Sequence, residues 1–106
     1  MRDTSLMNSP THAGRLHVSR RDDRAQYELY DGDELLSFAT FTETDGVVTV
    51  PHVETRPQHR GNDYSSVLME GVVDDLRARR LRIDPVCWVA RRHVEALPDA
   101  DELMVV

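Results

Sequence analysis

The stretch Arg56-Pro57-Gln58-His59-Arg60-Gly61-Asn62-Asp63-Tyr64-Ser65-Ser66-Val67-Leu68-Met69 decides the fold. Pro57 closes an extended run, Arg60-Gly61 reads as a tight turn, and an apolar stripe begins at Val67. Asp63 is placed to cap a helix, its carboxylate accepting from the amides of Ser65 and Ser66. A strand that runs through a tight turn into a helix aims unpaired amides at one spot, where an anion fits. Two readings stand at this point: an anion-binding turn, or an ordinary capped surface helix.

Downstream, Val67, Leu68, Val72 and Leu76 form one stripe of a helix running to about Arg80. Glu70, Asp74, Asp75, Arg77 and Arg79 fall mostly on its solvated side, with Asp75 and Arg79 in a favourable i, i+4 order. Leu81 to Val86 reads as a short strand, because the residue before Pro85 prefers extended geometry. Trp88 to Leu97 is a second helix, with Ala90, Val94 and Leu97 on one face and Pro98 as its stop. The tail from Asp101 to Val106 is expected to add an edge strand or to dock loosely.

Upstream, Met1 to Ala13 has no periodicity and reads as a flexible tail, leaving 14–106 as one domain. Leu16 and Val18 begin a strand that ends in the charged turn Arg20 to Arg24. Gln26 to Tyr30 follows, then Asp31-Gly32, a hairpin signal whose two turn positions want positive φ. Glu34 to Phe41 is apolar on both faces, with Leu36, Phe38 and Thr40 on one side and Leu35, Ala39 and Phe41 on the other. Asp45-Gly46 opens the fourth strand, Val47 to Glu54. An antiparallel meander followed by strand, helix and strand gives an α+β (α/β) chain with a βαβ crossover, so the fifth strand lies parallel to the fourth.

Bulk properties narrow the function. The chain has 106 residues, enough for one domain, and a net charge of −6 that argues against a broad basic surface for nucleic acid. No apolar run approaches the roughly 20 residues that span a bilayer, and no signal peptide is evident, so a cytoplasmic protein is expected. All 13 basic residues are arginine, which excludes Schiff-base chemistry on a lysine. The one cysteine, Cys87, cannot close an internal disulfide. It is either a small core hydrophobe or a reactive thiol. His52, Glu54, His59 and Cys87 lack the spacing of a zinc motif, so no metal is expected. Trp88 reads as a core anchor, and His59 and His93 as surface residues.

The order of meander, strand, Arg-Gly turn, helix, strand and helix resembles the GCN5-related N-acetyltransferases. His52-Val53-Glu54-Thr55, Arg60-Gly61 opening a helix, and Pro85-Val86-Cys87 after it are similar to blocks of the small single-domain YjdJ or NATD1-like acetyltransferases. The resemblance covers about Leu16 to Leu103. It implies a compact sheet of about five strands whose parallel fourth and fifth strands splay apart, two main helices, and acetyl-coenzyme A as co-substrate. It implies that Thr55, Arg56, Arg60, Gly61, Asn62, Asp63, Tyr64 and Ser65 surround the pyrophosphate. It places Cys87 near the thioester, as proton donor to the departing sulfur or as acyl acceptor, with the helix terminus and Arg91 and Arg92 favouring the thiolate. Glu54 and His52, two apart on one strand, share a face and are candidate bases toward an incoming amine.

The resemblance leaves the acceptor as an unknown amine or protein, with no nucleic acid and no membrane, and the chain as monomer or homodimer. The lack of two early helices of larger relatives implies an open acceptor side. Three departures bear on this. Asp63 and Ser65 occupy the two small positions of the turn, and a carboxylate about 4 to 6 Å from a phosphate costs about 1 to 3 kcal/mol. Leu97 and Ala100 replace a His and a Tyr, and His93 an aromatic. A second expectation follows from Asp63: a degenerate module with weak or no coenzyme A binding that serves as an acyl-CoA or protein-binding domain.

Overall fold

The computed structural model describes residues 15–105; the expected tail, Met1 to Ala13, lies outside them. The elements run β1 (Leu16–Arg21), β2 (Gln26–Asp31), β3 (Glu34–Thr44), β4 (Val47–Thr55), α1 (Tyr64–Arg79), β5 (Arg82–Pro85), α2 (Trp88–Glu95) and α3 (Ala100–Leu103). A 3-10 turn, Pro57–His59, links β4 to α1. The strands form one sheet in the order β1-β2-β3-β4-β5. The first three pairings are antiparallel. β4 and β5 are parallel, with Val47 opposite Arg82 and Val50 opposite Pro85. This is the expected α+β chain, with a short third helix after the two main ones. The C-terminal tail both forms α3 and docks. Met104 bridges to Ile83, and the Val105 amide donates to the Ile83 carbonyl at 2.9 Å.

The two Asp-Gly hairpins differ. At Asp45-Gly46 both residues have positive φ, 54° and 82°, as a two-residue turn of this type requires. At the first hairpin Asp31 stays in β2 and Gly32-Asp33 make the turn, with positive φ at Gly32 alone. The expected pair is displaced by one residue, because a glycine in the first turn position suits the alternative two-residue turn.

Two bulges shape β3 and β4. Leu29 pairs with Ser37 but Tyr30 pairs with Leu35, so Leu36 is an extra residue. The bulge breaks the alternation expected for β3: Leu36, Ser37, Ala39 and Phe41 are buried, while Phe38 and Thr40 are half-buried. Further along, Thr40 pairs with His52 and Thr42 with Thr49, leaving Phe41 opposite Val50 and Pro51. Proline has no amide to give a ladder, and a bulge is one of the few places a sheet tolerates it.

The core forms between the sheet and α1. Leu68, Met69, Val72, Val73 and Leu76 of α1 are buried against Tyr27, Leu29, Ala39, Val48, Val50 and Ile83, with Ala90 and Val94 of α2 in the same cluster. Gly71 lets α1 approach β1 closely: a Cβ there would lie 2.5 Å from Val18 Cγ2 and 2.6 Å from Val18 Cβ. Tyr27 is fully buried and its hydroxyl donates to Asp75 Oδ2 at 2.6 Å, tying β2 to α1. Arg79 donates to the same carboxylate at 2.8 Å, the expected i, i+4 pair. Burial, and then the Asp75 carboxylate, push the Tyr27 phenol well above its ordinary 10.

Candidate functional site

β4 and β5 part after Val50. The Cys87 amide donates to the Val50 carbonyl at 3.0 Å, and beyond that bond the chain turns into α2. β4 runs on through His52, Val53, Glu54 and Thr55 paired only with β3. The bulge at Val50-Pro51 bends β4, and Pro85 has no amide with which to continue the parallel ladder. The strands therefore splay, and a cavity of about 510 Å³ opens in the gap, lined by His52, Val53, Glu54, Thr55, Arg60, Ser65, Trp88 and Val89. A second cavity of about 400 Å³ lies between the first turn of α1 and α2, lined by Asp63, Ser65, Ser66, Trp88, Val89, Arg92, His93, Ala96 and Leu97. Ser65, Trp88 and Val89 line both, so the two meet over the N-terminus of α1.

The turn before α1 departs from its expected cap. Asp63 sits at the cap position in the left-handed region, φ 59° and ψ 30°, and its carboxylate makes no bond to a helix amide. Its Oδ1 instead accepts from Ser66 Oγ at 2.9 Å. An extended cap residue can fold its side chain back over the first turn; a left-handed one cannot, so the expected bonds to Ser65 and Ser66 amides are lost. Aspartate enters this region more readily than most side chains, which lets it stand where glycine would serve. The Ser66 and Val67 amides donate to the Asp63 carbonyl, and no acceptor among the described residues serves the Tyr64 and Ser65 amides. Two first-turn donors thus point out of the helix with the positive end of its dipole behind them.

The arginines sort by partner. Arg20, Arg21, Arg24, Arg77, Arg79 and Arg91 each pair with a carboxylate. Arg56, Arg60 and Arg92 have no carboxylate partner among the described residues, and Arg60 and Arg92 line the two cavities. Arg60 is steadied by a bond from Nε to the Thr55 carbonyl at 3.4 Å. Asn62 donates to the His59 carbonyl at 3.1 Å, bracing the turn. His59 is half-buried rather than at the surface; its Nε2 lies 2.6 Å from Glu34 Oε2, and its ring meets Tyr64 edge-on. The Thr55 hydroxyl lies 3.2 Å from that of Ser37 and is spent within the sheet.

His52 and Glu54 fall on one face, with His52 Nε2 at 3.0 Å from Glu54 Oε1 and both side chains about half exposed. Tyr27, Leu29 and Ala39 face α1, so alternation puts Phe38, Glu54 and His52 on the opposite side of the sheet. Cys87 is half-buried, packs on the core, and lines neither cavity. The arginines expected beside it are turned elsewhere: Arg91 pairs with Glu95, and the Arg92 guanidinium lies 5.4 Å over the Trp88 ring.

Among the lining residues, Trp88, Val89 and His93 were not expected at the site from the sequence, and Arg92 was expected only beside Cys87. Trp88 is no core anchor; it is 65% exposed. Ala90 and Val94 point inward from α2, and a residue two positions before Ala90 lies about 200° around the helix. His93 is half-buried, with Nε2 inaccessible and without a partner. The i, i+4 pair Trp88 and Arg92 was visible in the sequence, set off from the Ala90 and Val94 face.

Among the described residues no three His, Cys, Asp or Glu side chains converge as a metal site. None of the described helices is long and apolar enough to cross a membrane. A family model described as GCN5-related N-acetyl-transferase matches residues 26–103, from the start of β2 through α3. No curated protein matches the chain. The match takes in the meander from β2 onward, the turn before α1, the crossover and α2, so the chain belongs to the GCN5-related N-acetyltransferase family.

Proposed function

We propose that this protein is an N-acetyltransferase that uses acetyl-coenzyme A, of the small single-domain YjdJ-like kind, acting on an amine or a protein amine. The reading rests on the splayed β4 and β5 opening directly onto two unpartnered amides and an arginine with no carboxylate of its own. The residues fit a diphosphate on a thin thioester arm. The amides of Tyr64 and Ser65 and the Arg60 guanidinium would hold the diphosphate, and Arg56 adds positive charge close by. Asp63 keeps the turn's backbone shape while its carboxylate is engaged by Ser66.

Bound acetyl-coenzyme A supplies an activated acyl group; the chain supplies position and proton transfer. With Nε2–H donated to Glu54, His52 is oriented and its Nδ1 is free to accept a proton from the acceptor amine. In the transferase reading Cys87, at the cap of α2 where β4 and β5 part but outside both cavity linings, would donate a proton to the departing sulfur or accept the acyl group. The half-exposed His52 and Glu54 leave the acceptor side open, which suits a protein or bulky amine. Thr55, Gly61 and Asn62 shape the turn, and Tyr64 packs on His59.

Asp63 favours a second reading, a module that keeps this fold and binds acyl-CoA or a protein without turnover, because its charge stands at the mouth of the anion site. Calorimetry with acetyl-coenzyme A, joined to an assay for free thiol release with amine acceptors, separates the two. Binding with turnover supports the transferase; binding without turnover supports the module. No heat at millimolar ligand removes the transferase.

A further inference from the structure

The turn that presents the Tyr64 and Ser65 amides takes a bent path. Gly61 and Asp63 both stand at positive φ, 90° and 59°, within four residues of the 3-10 turn. Arg60 Nε on the Thr55 carbonyl and Asn62 Nδ2 on the His59 carbonyl brace it from within. Two further bonds tie it to β3. The Arg56 amide donates to the Leu36 carbonyl at 2.9 Å, and His59 Nε2 lies 2.6 Å from Glu34 Oε2, two residues along the same strand. The other side of the His59 ring story is α1: the ring meets Tyr64 edge-on, with centroids 6.2 Å apart. Half-buried His59 therefore stands between the start of β3 and the first residue of α1. It lines neither cavity, so any effect it has on a bound diphosphate passes through the turn.

We propose that His59 is a positioning residue: braced by Glu34, it holds Arg60 and the Tyr64 and Ser65 amides in one arrangement and so sets the affinity for the co-substrate's diphosphate. The inference rests on the transferase reading. An ion pair with an exposed carboxylate adds little to the stability of a whole fold. A turn with several shapes of similar energy is more sensitive. There the same bond changes the fraction of molecules ready to bind, and the apparent affinity follows that fraction, by about fivefold here. Charge strengthens the brace. A histidine changes charge between about pH 5 and 8, and a protonated imidazole donates to a carboxylate more strongly than a neutral one. Glu34 from β3 and Tyr64 from α1 face the ring, and Arg56 and Arg60 flank it in the turn. Because Glu34 is the acceptor, the turn tightens as pH falls.

Full-length protein is titrated with coenzyme A by calorimetry between about pH 6 and 8, as wild type, His59→Gln, Glu34→Gln and the double variant. Each single substitution weakens coenzyme A about fivefold at the acid end while thermal midpoints move little. The double variant binds no more weakly than either single one, because the two side chains act as one unit. The ratio of wild-type to His59→Gln affinity shrinks as pH rises; titration of the ligand and of the other histidines is common to both proteins and cancels. His59→Arg, always charged, keeps the affinity and loses that pH dependence, but only while Glu34 is present. Coenzyme A bound equally by wild type and His59→Gln overturns the brace and leaves the transferase standing. A loss in His59→Gln without one in Glu34→Gln also overturns it, making His59 a direct ligand contact, and so do additive losses in the double variant. Absence of any heat from coenzyme A with the wild-type chain removes the transferase reading and this inference together.

Discussion

Asp63 shows how one side chain can satisfy a backbone and burden a site. Its left-handed φ is the one a glycine would adopt without strain. Its charge is the one a diphosphate would least want nearby. Asp63→Gly therefore strengthens coenzyme A binding about tenfold by calorimetry. Asp63→Asn gains nearly as much, since asparagine also accepts this conformation; Asp63→Ala gains less, because it pays in backbone strain. Equal affinity in all three would mean the carboxylate stays with Ser66 and never meets the ligand. Cys87→Ser tests the thiol: turnover falls tenfold or more with the KM for acetyl-coenzyme A held, whereas unchanged turnover leaves Cys87 a packing residue. Position 63 was legible as special because an acid stood in a small-residue turn. Its φ was not, because the cap motif and the left-handed turn share the same residue types.

Among elements, α1 and the crossover were the most legible. An apolar stripe after a Gly turn and before a short strand implies a parallel pair, and β4 and β5 are parallel; their register, Val47 opposite Arg82, was not legible. The bulges were not legible. Leu36 and Val50-Pro51 are extra residues only by comparison with a partner strand, and a single strand's alternation cannot reveal them. Gly71 was equally silent, since it reads as a weak point in a helix until Val18 is seen against it. Gly71→Ala should therefore destabilise the fold by about 1 to 3 kcal/mol in urea unfolding, although alanine is the better helix former. Adding Val18→Ala should recover part of that loss; a stabilised single variant would show that α1 stands further from β1.

At the scale of the molecule, one buried phenol couples stability to alkaline pH. The Tyr27 hydroxyl is protonated in the fold beyond its ordinary 10, because burial and Asp75 disfavour the phenolate. A group whose folded pKa is raised contributes stability that is complete below its unfolded value and is lost as pH climbs past it. Thermal midpoints should hold up to about pH 10 and then fall more steeply for the wild-type chain than for Tyr27→Phe. That variant itself is about 1 kcal/mol less stable at neutral pH, because its hydrogen bond to Asp75 is gone while Arg79 still serves that carboxylate. Parallel slopes for the two proteins would assign the alkaline loss elsewhere.

The bond from the Val105 amide to the Ile83 carbonyl has a consequence for solubility. β5 is the outermost strand on its side of the sheet, and an open strand border invites a neighbouring molecule to extend it. Met104 and Val105 act as a selvedge, occupying that border within the same chain. Removing residues 104–106 should leave the fold standing but make light scattering rise with protein concentration. A truncated chain that stays as dispersed as the intact one would show that α3 alone keeps strangers off the hem.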